Sequence, residues 1–324
     1  MISTRFTDLV GCSAPIQQAG MGGVATPELA AAVADAGGLG MVAAVMVRPE
    51  MLAAMLDSIA RPSDGAVGVN FLMPFLDGTD AVEVAASRAR VVEFFYGEPD
   101  EGLVDRVHDG GALGFWQVGS VSEARAAVDA GCDAVVVQGT EAGGHVRGEV
   151  SLFPLLAQVL DQIEVPVVAA GGIATSRQVA AALAAGASAV RVGTRFVATA
   201  ESGAHPDYID ALLRAGDGES VLTEVFSVMW PDAPHRVLRS CIAAAAAYTG
   251  DLVGEERMGD EILPIPRFAV PVPTRDTTGE IAAMALYAGE SVGAVTSVVP
   301  AANVVRELVE GAERILGRRK MSPA

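Results

Sequence analysis

The stretch Gln138-Gly139-Thr140-Glu141-Ala142-Gly143-Gly144-His145-Val146-Arg147-Gly148 sets one imidazole among glycines, a glutamine and a glutamate. Glycines let backbone N–H groups approach a bound molecule, and an imidazole beside them can exchange a proton near neutral pH. His145 is therefore the candidate catalytic residue, on a loop whose backbone N–H groups can approach a ligand. A lone histidine in a glycine-rich turn is ordinarily only solvated, so the choice rests on its surroundings. Two further turns bear on it. Ala169-Ala170-Gly171-Gly172-Ile173 and Gly193-Thr194-Arg195-Phe196 each close an apolar run. Paired turns of this kind, late in an alternating chain, can hold a phosphate on backbone N–H groups. Glu141 reads as a structural group, Arg147 as either a counter-charge for an anion or a solvated side chain, and Phe115 and Trp116 as core.

Composition removes other chemistries. Lys320 is the only lysine among 324 residues, which excludes Schiff-base catalysis and lysine-dependent phosphate loops. His108, His145, His205 and His235 show no metal-ligand spacing with one another or with Cys12, Cys132 and Cys241. Scattered cysteines suit free thiols in a reducing compartment, and Met1 to Val10 lacks an apolar export signal, so a cytoplasmic location is expected. A formal net charge of −18 argues against nucleic acid and anionic membranes as partners. The apolar runs are too short to span a bilayer. The basic cluster Arg318-Arg319-Lys320 reads as a solvated tail. Gly38-Leu39-Gly40-Met41-Val42-Ala43 fits the dinucleotide fingerprint as a string only, because its glycines precede a strand instead of joining a strand to a helix.

Positioning the candidate groups requires strands that end where the glycine turns begin. Ala14 to Ala19 reads as a strand running into Gly20-Met21-Gly22-Gly23, and Thr26-Pro27-Glu28 then opens a helix that runs to Ala36. Further strands are expected at Leu39 to Val47, Ala66 to Phe71, Val91 to Tyr96, Ala112 to Val118, Ala134 to Val137, Pro166 to Ala170 and Ser188 to Val192. Helices alternate with them over Pro49 to Ile59, Thr79 to Arg90, Glu101 to His108 and Phe153 to Gln162. Capping boxes at Ser120/Glu123 and Thr175/Gln178 open two more. Ala36-Gly37-Gly38, Ala130-Gly131-Cys132 and Ala185-Gly186-Ala187 each stop a helix before a strand. This alternation points to α/β architecture closed as a TIM (β/α)8 barrel, in preference to an open doubly wound sheet. Met21, Asn70, Gln117, Gln138, His145, Gly171 and Gly193 would converge at the carboxyl ends of its strands.

The rhythm breaks over residues 218–299, where prolines punctuate helical pieces around Cys241 to Tyr248 and Ile281 to Ala288. The expected division is a barrel over 1–217, a smaller covering or substrate domain over 218–299 and a C-terminal segment, 300–324, whose helix from Ala301 to Leu316 returns to the barrel. The covering segment is either a substrate cover or an oligomerisation arm, and a homodimer is compatible with the second.

Pro15-Ile16-Gln17-Gln18-Ala19-Gly20-Met21-Gly22-Gly23, Gly68-Val69-Asn70, Gln138 to His145, Ala169 to Ile173 and Val192 to Phe196 resemble the nitronate monooxygenase family, formerly called 2-nitropropane dioxygenases. The resemblance covers nearly the full chain. It extends to Tyr287-Ala288-Gly289-Glu290-Ser291-Val292-Gly293, where the family often has Gln in place of Glu290. Its Glu-Ala-Gly-Gly-His segment is shared with flavin-dependent enoyl-acyl-carrier-protein reductases and NADH:quinone reductases. The resemblance implies one FMN per barrel, with phosphate on the backbone of Gly172, Gly193 and Thr194. It implies flavin contacts from Gln138, Gly143, Asn70 and the Met21-Gly22 turn, with Gly144 and Gly171 counted among the cofactor-binding residues and His145 as the catalytic one. The implied reaction oxidises alkyl nitronates, with nitroalkanes as a further substrate class, with O2 to carbonyl compounds and nitrite. An FMN-dependent NAD(P)H oxidoreductase of quinone-reductase or enoyl-reductase type is the alternative.

Overall fold

The computed structural model describes residues 2–59, 64–259 and 261–318. Its main sheet is a closed parallel barrel of β1 (Ile16–Gln18), β2 (Leu39–Ala43), β3 (Ala66–Leu72), β4 (Val91–Phe95), β5 (Leu113–Val118), β6 (Ala134–Gln138), β8 (Val167–Ala170) and β9 (Ala189–Val192). β9 closes on β1 through Gln17 opposite Arg191. The TIM barrel expected from the alternation is thus the observed architecture. A short strand absent from the sequence reading, β7 (Gly144–His145), leaves the barrel after β6 to join another sheet.

Alternation along each strand sorts the side chains. Val69, Phe71, Val92, Phe94, Trp116, Val135 and Val137 belong to the core between strands and helices. Leu39, Met41, Val91, Phe115, Val136, Val168 and Ala189 form a separate cluster together with Phe6 and Val10 from the helix Arg5–Val10. That helix was not expected from sequence; it presses Phe6 against Phe115, with ring centroids 6.3 Å apart. Two residues further along the strands, the same inward register carries Glu93 after Val91, Gln117 after Phe115, Gln138 after Val136 and Arg191 after Ala189. The interior is thus apolar below and polar in the layer nearest the carboxyl ends.

Several element limits differ from expectation for identifiable reasons. The helix Asp80–Ala86 stops short of Arg90 because the Arg90 amide already bonds the Val67 carbonyl, at 2.8 Å, beside β3. β2 ends at Ala43, ahead of a turn in which Met46 adopts φ 56°. The Thr175/Gln178 capping box is complete. At Ser120 only half of one forms: the hydroxyl accepts from the Glu123 amide at 3.1 Å, while the Glu123 carboxylate accepts from the Gly119 amide at 2.7 Å.

Beyond β9 the chain builds two antiparallel sheets. One orders β10 (Ser220–Thr223), β11 (His235–Leu238) and β7; the other orders β13 (Glu261–Pro266), β12 (Leu252–Met258) and β14 (Thr277–Gly279). A second core containing Tyr208, Leu212, Phe226, Val237, Cys241, Val253 and Met284 joins them. The helical piece expected over Ile281 to Ala288 is only a 3-10 turn, Ile281–Ala283. The following residues extend because they pair with β11: the Leu238 amide bonds the Leu286 carbonyl at 2.9 Å and the Ala288 amide bonds the Arg236 carbonyl at 3.2 Å. The last helix, Ala301–Arg318, packs on Ser176–Ala184 and Pro27–Asp35. Arg319 and Lys320, part of the tail read as solvated, lie outside the described residues. Among the described residues no helix is long and apolar enough to cross a membrane.

Candidate active site

The loop after β6 is held from several sides. The Gln138 amide donates to the His145 carbonyl at 2.9 Å, so this side chain clamps its own loop. Both Glu141 carboxylate oxygens accept from the Leu152 amide, at 2.9 and 3.0 Å, consistent with a structural role. Arg147 pairs with Glu123 and Glu98, each at 2.5 Å, so its charge is already answered within the chain. β7 then lies antiparallel to β11, with His145 opposite His235 and Gly144 opposite Arg236. The Arg236 guanidinium donates twice to the Thr140 carbonyl, at 2.7 and 2.9 Å, and fixes the loop's other end.

These constraints seat His145 in an aromatic cage. Its ring stacks on Trp230 with centroids 3.9 Å apart and planes 22° from parallel; Tyr287 lies at 5.6 Å and Tyr96 at 6.1 Å. Nε2 is buried and has no hydrogen-bond partner among the described residues. Burial, with His235 nearby, pushes the His145 pKa down to about 3. The ring is therefore neutral at physiological pH, which corrects the expectation of an imidazole titrating near neutrality: desolvation disfavours its charged form. His235 is locked as a neutral tautomer, its Nδ1 donating to the Ala233 carbonyl at 2.9 Å while Nε2 accepts from the Phe226 amide at 3.2 Å.

The two late glycine turns form a cradle of amides. Gly171 and Gly172 take φ values of 117° and 65°, which favour glycine. The Gly172 carbonyl accepts from the Gln178 side chain at 2.6 Å, so the capping glutamine of the next helix also orients this turn. The amides of Gly172, Gly193 and Thr194 find no acceptor among the described residues. Gly193 meets only the Ala19 and Met21 side chains, at 3.6 and 3.9 Å from where a Cβ would sit, which brings the Met21-Gly22 turn to the same rim. Gly289 links cradle and catalytic loop. Its amide donates to Thr194 Oγ1 at 3.0 Å, and a Cβ on Gly143 would lie 2.5 Å from its nitrogen. A Cβ on Gly144 would meet open space. Unpaired amides with the nearby Glu141 carboxylate already occupied suit a phosphate group, so these residues fit an FMN phosphate.

Beneath the rim lies a polar floor. Glu93, wholly buried, accepts from Asn70 Nδ2 and from Gln17 Nε2, each at 2.7 Å, and pairs with Arg191. Arg191 also donates to Gln117. Asn70 is thereby oriented with its amide nitrogen toward Glu93, and it crowds Gly20, where a Cβ would sit 2.5 Å from the Asn70 Cβ. Glu93 and Arg191 escaped the sequence reading, as did Trp230. The signal for the first two was present: each is the one charged residue in an otherwise apolar or aromatic strand.

The nitronate monooxygenase family profile matches residues 3–88 and 79–311. A Mycobacterium tuberculosis protein named (3aS,4S,5R,7aS)-5-hydroxy-7a-methyl-1-oxo-octahydro-1H-indene-4-carboxyl-CoA dehydrogenase is 38% identical over 74% of this chain and 67% of its own. A probable nitronate monooxygenase of Staphylococcus saprophyticus is 32% identical over 70% of this chain and 77% of its own. Among solved structures, FabK from Thermotoga maritima superposes with a TM-score of 0.80 at 29% identity, covering 99% of each chain. The nitroalkane oxidase from Streptomyces ansochromogenes superposes with a TM-score of 0.77 at 30% identity, covering 98% of this chain and 100% of that one. A barrel with a histidine loop and an amide cradle at one rim, matched along nearly its whole length, makes this chain an oxidoreductase belonging to the nitronate monooxygenase family.

Proposed function

We propose that the protein holds FMN at the barrel rim and oxidises alkyl nitronates with dioxygen, giving carbonyl compounds and nitrite. In the net change two nitronate anions and one dioxygen give two carbonyl compounds and two nitrite ions: each carbon exchanges its bond to nitrogen for one of the two oxygen atoms, and each nitrogen leaves as nitrite with its own two oxygens. The observation that carries this reading is the buried, unpartnered Nε2 of a neutral His145, on a loop tied through Gly289 to the unpaired amides of the cradle.

The amides of Gly172, Gly193 and Thr194 would hold the phosphate. Asn70, Gln138, the Met21-Gly22 turn and the Gly143-Gly144 and Gly171 backbone would surround the rest. Bound there, FMN supplies the electron exchange with substrate and dioxygen that side chains cannot. The chain's own part centres on His145. With its pKa at about 3, this ring does not retain a proton taken from a neutral nitroalkane, but it can offer an N–H to an anion. An anionic nitronate beside the ring offsets the burial that keeps it neutral. Preformed nitronates are accordingly the better substrates. The aromatic cage excludes water from Nε2 and strengthens that contact.

The test mixes FMN-loaded protein anaerobically with propionate-3-nitronate and follows flavin absorbance. Bleaching supports the reading, and a spectrum that stays oxidised refutes it. Riboflavin, which lacks the phosphate, should be retained far less well than FMN. A second reading, oxidoreduction of an acyl thioester with a nicotinamide, is favoured by the similarity to the carboxyl-CoA dehydrogenase of Mycobacterium tuberculosis. It predicts rapid bleaching by NADH or NADPH and none by nitronate.

A further inference from the structure

Trp230 has no part in the cofactor cradle, yet it makes the closest ring contact to His145. Its indole is 6% exposed and packs edge-on against Tyr96 at 4.7 Å and Phe75 at 5.0 Å, in addition to stacking on the imidazole at 3.9 Å. Phe75 and Tyr96 follow β3 and β4, so the indole bridges barrel loops and the second sheet. The segment carrying it is anchored at both ends. The Val228 amide bonds the Phe268 carbonyl at 3.0 Å, the Val146 amide bonds the Pro234 carbonyl at 2.8 Å, and His235 lies in β11. Between those anchors Met229 and Asp232 adopt left-handed φ values of 82° and 55°, and Met229, Pro231 and Asp232 are exposed. Such a conformation is unfavourable for a non-glycine residue and persists only where the surroundings impose it. The result is a buried indole turned inward between Met229, Pro231 and Asp232, which face solvent.

We infer that Trp230 is a substrate-contacting, specificity-determining residue, the apolar wall that limits how long an alkyl chain can reach Nε2 of His145. This rests on the nitronate reading given above and adds a chain-length limit to it. An indole stacked on the imidazole face fills the space a longer tail would need, and removing it opens a slot lined by Tyr96 and Phe75.

The test uses FMN-loaded protein. With Trp116→Phe, Trp230 is the only tryptophan left. Butyrate and hexanoate, carboxylates shaped like alkyl nitronates but inert to oxidation, are titrated against it, and a saturable change in Trp230 emission is expected. If Trp116→Phe does not fold, the difference in emission between the natural protein and Trp230→Phe carries the same signal. Trp230→Ala should raise the preference for hexanoate over butyrate, read from the flavin spectrum, by about tenfold. It should raise the ratio of kcat/KM for hexyl nitronate over ethyl nitronate by a similar factor, and Trp230→Phe should do so less. Flat emission while the flavin spectrum reports bound carboxylate, no binding by either signal, or an unchanged chain-length preference in Trp230→Ala overturns the inference. Should no form oxidise any nitronate, the functional reading fails by itself, and the emission and carboxylate-binding results then decide the role of Trp230.

Discussion

Replacing Glu93 by Gln keeps the shape of the barrel floor and removes the negative charge that faces Arg191. The carboxylate is wholly buried and serves three donors, from Gln17, Asn70 and Arg191. Loss of one partner from a buried ion pair leaves the other charge desolvated and costs about 3 to 5 kcal/mol. Unfolding entropy scales at about 2.1 cal/mol/K per residue, so for a chain of this length that penalty lowers Tm by about 4 to 7 °C. The amide keeps an acceptor oxygen for Asn70 and Arg191 but presents its NH2 where Gln17 Nε2 now donates, so the Gln17 side chain must turn, the floor rearranges and flavin retention should weaken with it. Thermal unfolding followed by circular dichroism, with flavin release recorded in parallel, gives both quantities. The double variant Glu93→Gln/Arg191→Met is the decisive control, because it removes the stranded cation. It should recover part of the stability lost by Glu93→Gln alone. A Tm unchanged in the single variant, or a double variant less stable than the single, would refute the argument that this pair is held by mutual neutralisation.

Stability should also fall in acid. His145 has a folded pKa of about 3 against an ordinary value of 6.5, and burial lowers that of His235 in the same direction. The unfolded chain therefore takes up protons first as pH drops; the stability is fully present above about pH 6.5 and is lost progressively toward about pH 3. His145→Gln should flatten that slope, measured as the denaturant midpoint across the same range, and an equally steep slope in the variant would count against the buried neutral ring. At the adjacent glycines the outcomes should diverge. Gly143→Ala drives a methyl to 2.5 Å from the Gly289 nitrogen and 2.7 Å from the Ala288 carbonyl carbon, so backbone must move. Gly144→Ala meets no atom within 4 Å and only strains a φ of 78°, at about 1 to 2 kcal/mol. Calorimetry should find the first variant markedly less stable; equal losses would show that the packing of Gly289 on the loop is loose.

The barrel could be read from sequence because its signals are local. Alternating short apolar runs, Gly37, Gly131 and Gly186 in left-handed helix stops, and the complete cap at Thr175 are each decided within a few residues. The candidate rim followed from where those runs end. What escaped was set by distant partners. Gly144 and His145 form a strand only because Arg236 and His235 lie opposite, and Leu286 to Ala288 extend only because β11 is there to pair with them. The Ser120 box failed through competition, since Arg147 and the Gly119 amide offered the Glu123 carboxylate better partners than the cap did. The protonation state of His145 was likewise invisible, because a depressed pKa comes from rings that the second sheet delivers. A glutamate in Val91–Phe95 and an arginine in Ala189–Val192 were the missed clue, since neither charge enters such a strand without a partner across the barrel.

The ladder between β7 and β11 has a mechanical corollary. The imidazole is bolted at its backbone to the upper sheet, while the amides of Gly172, Gly193 and Thr194 belong to the drum below. A shift of the upper sheet against the barrel would therefore re-aim the ring relative to those amides, with the Gln138 clamp on the His145 carbonyl resisting it.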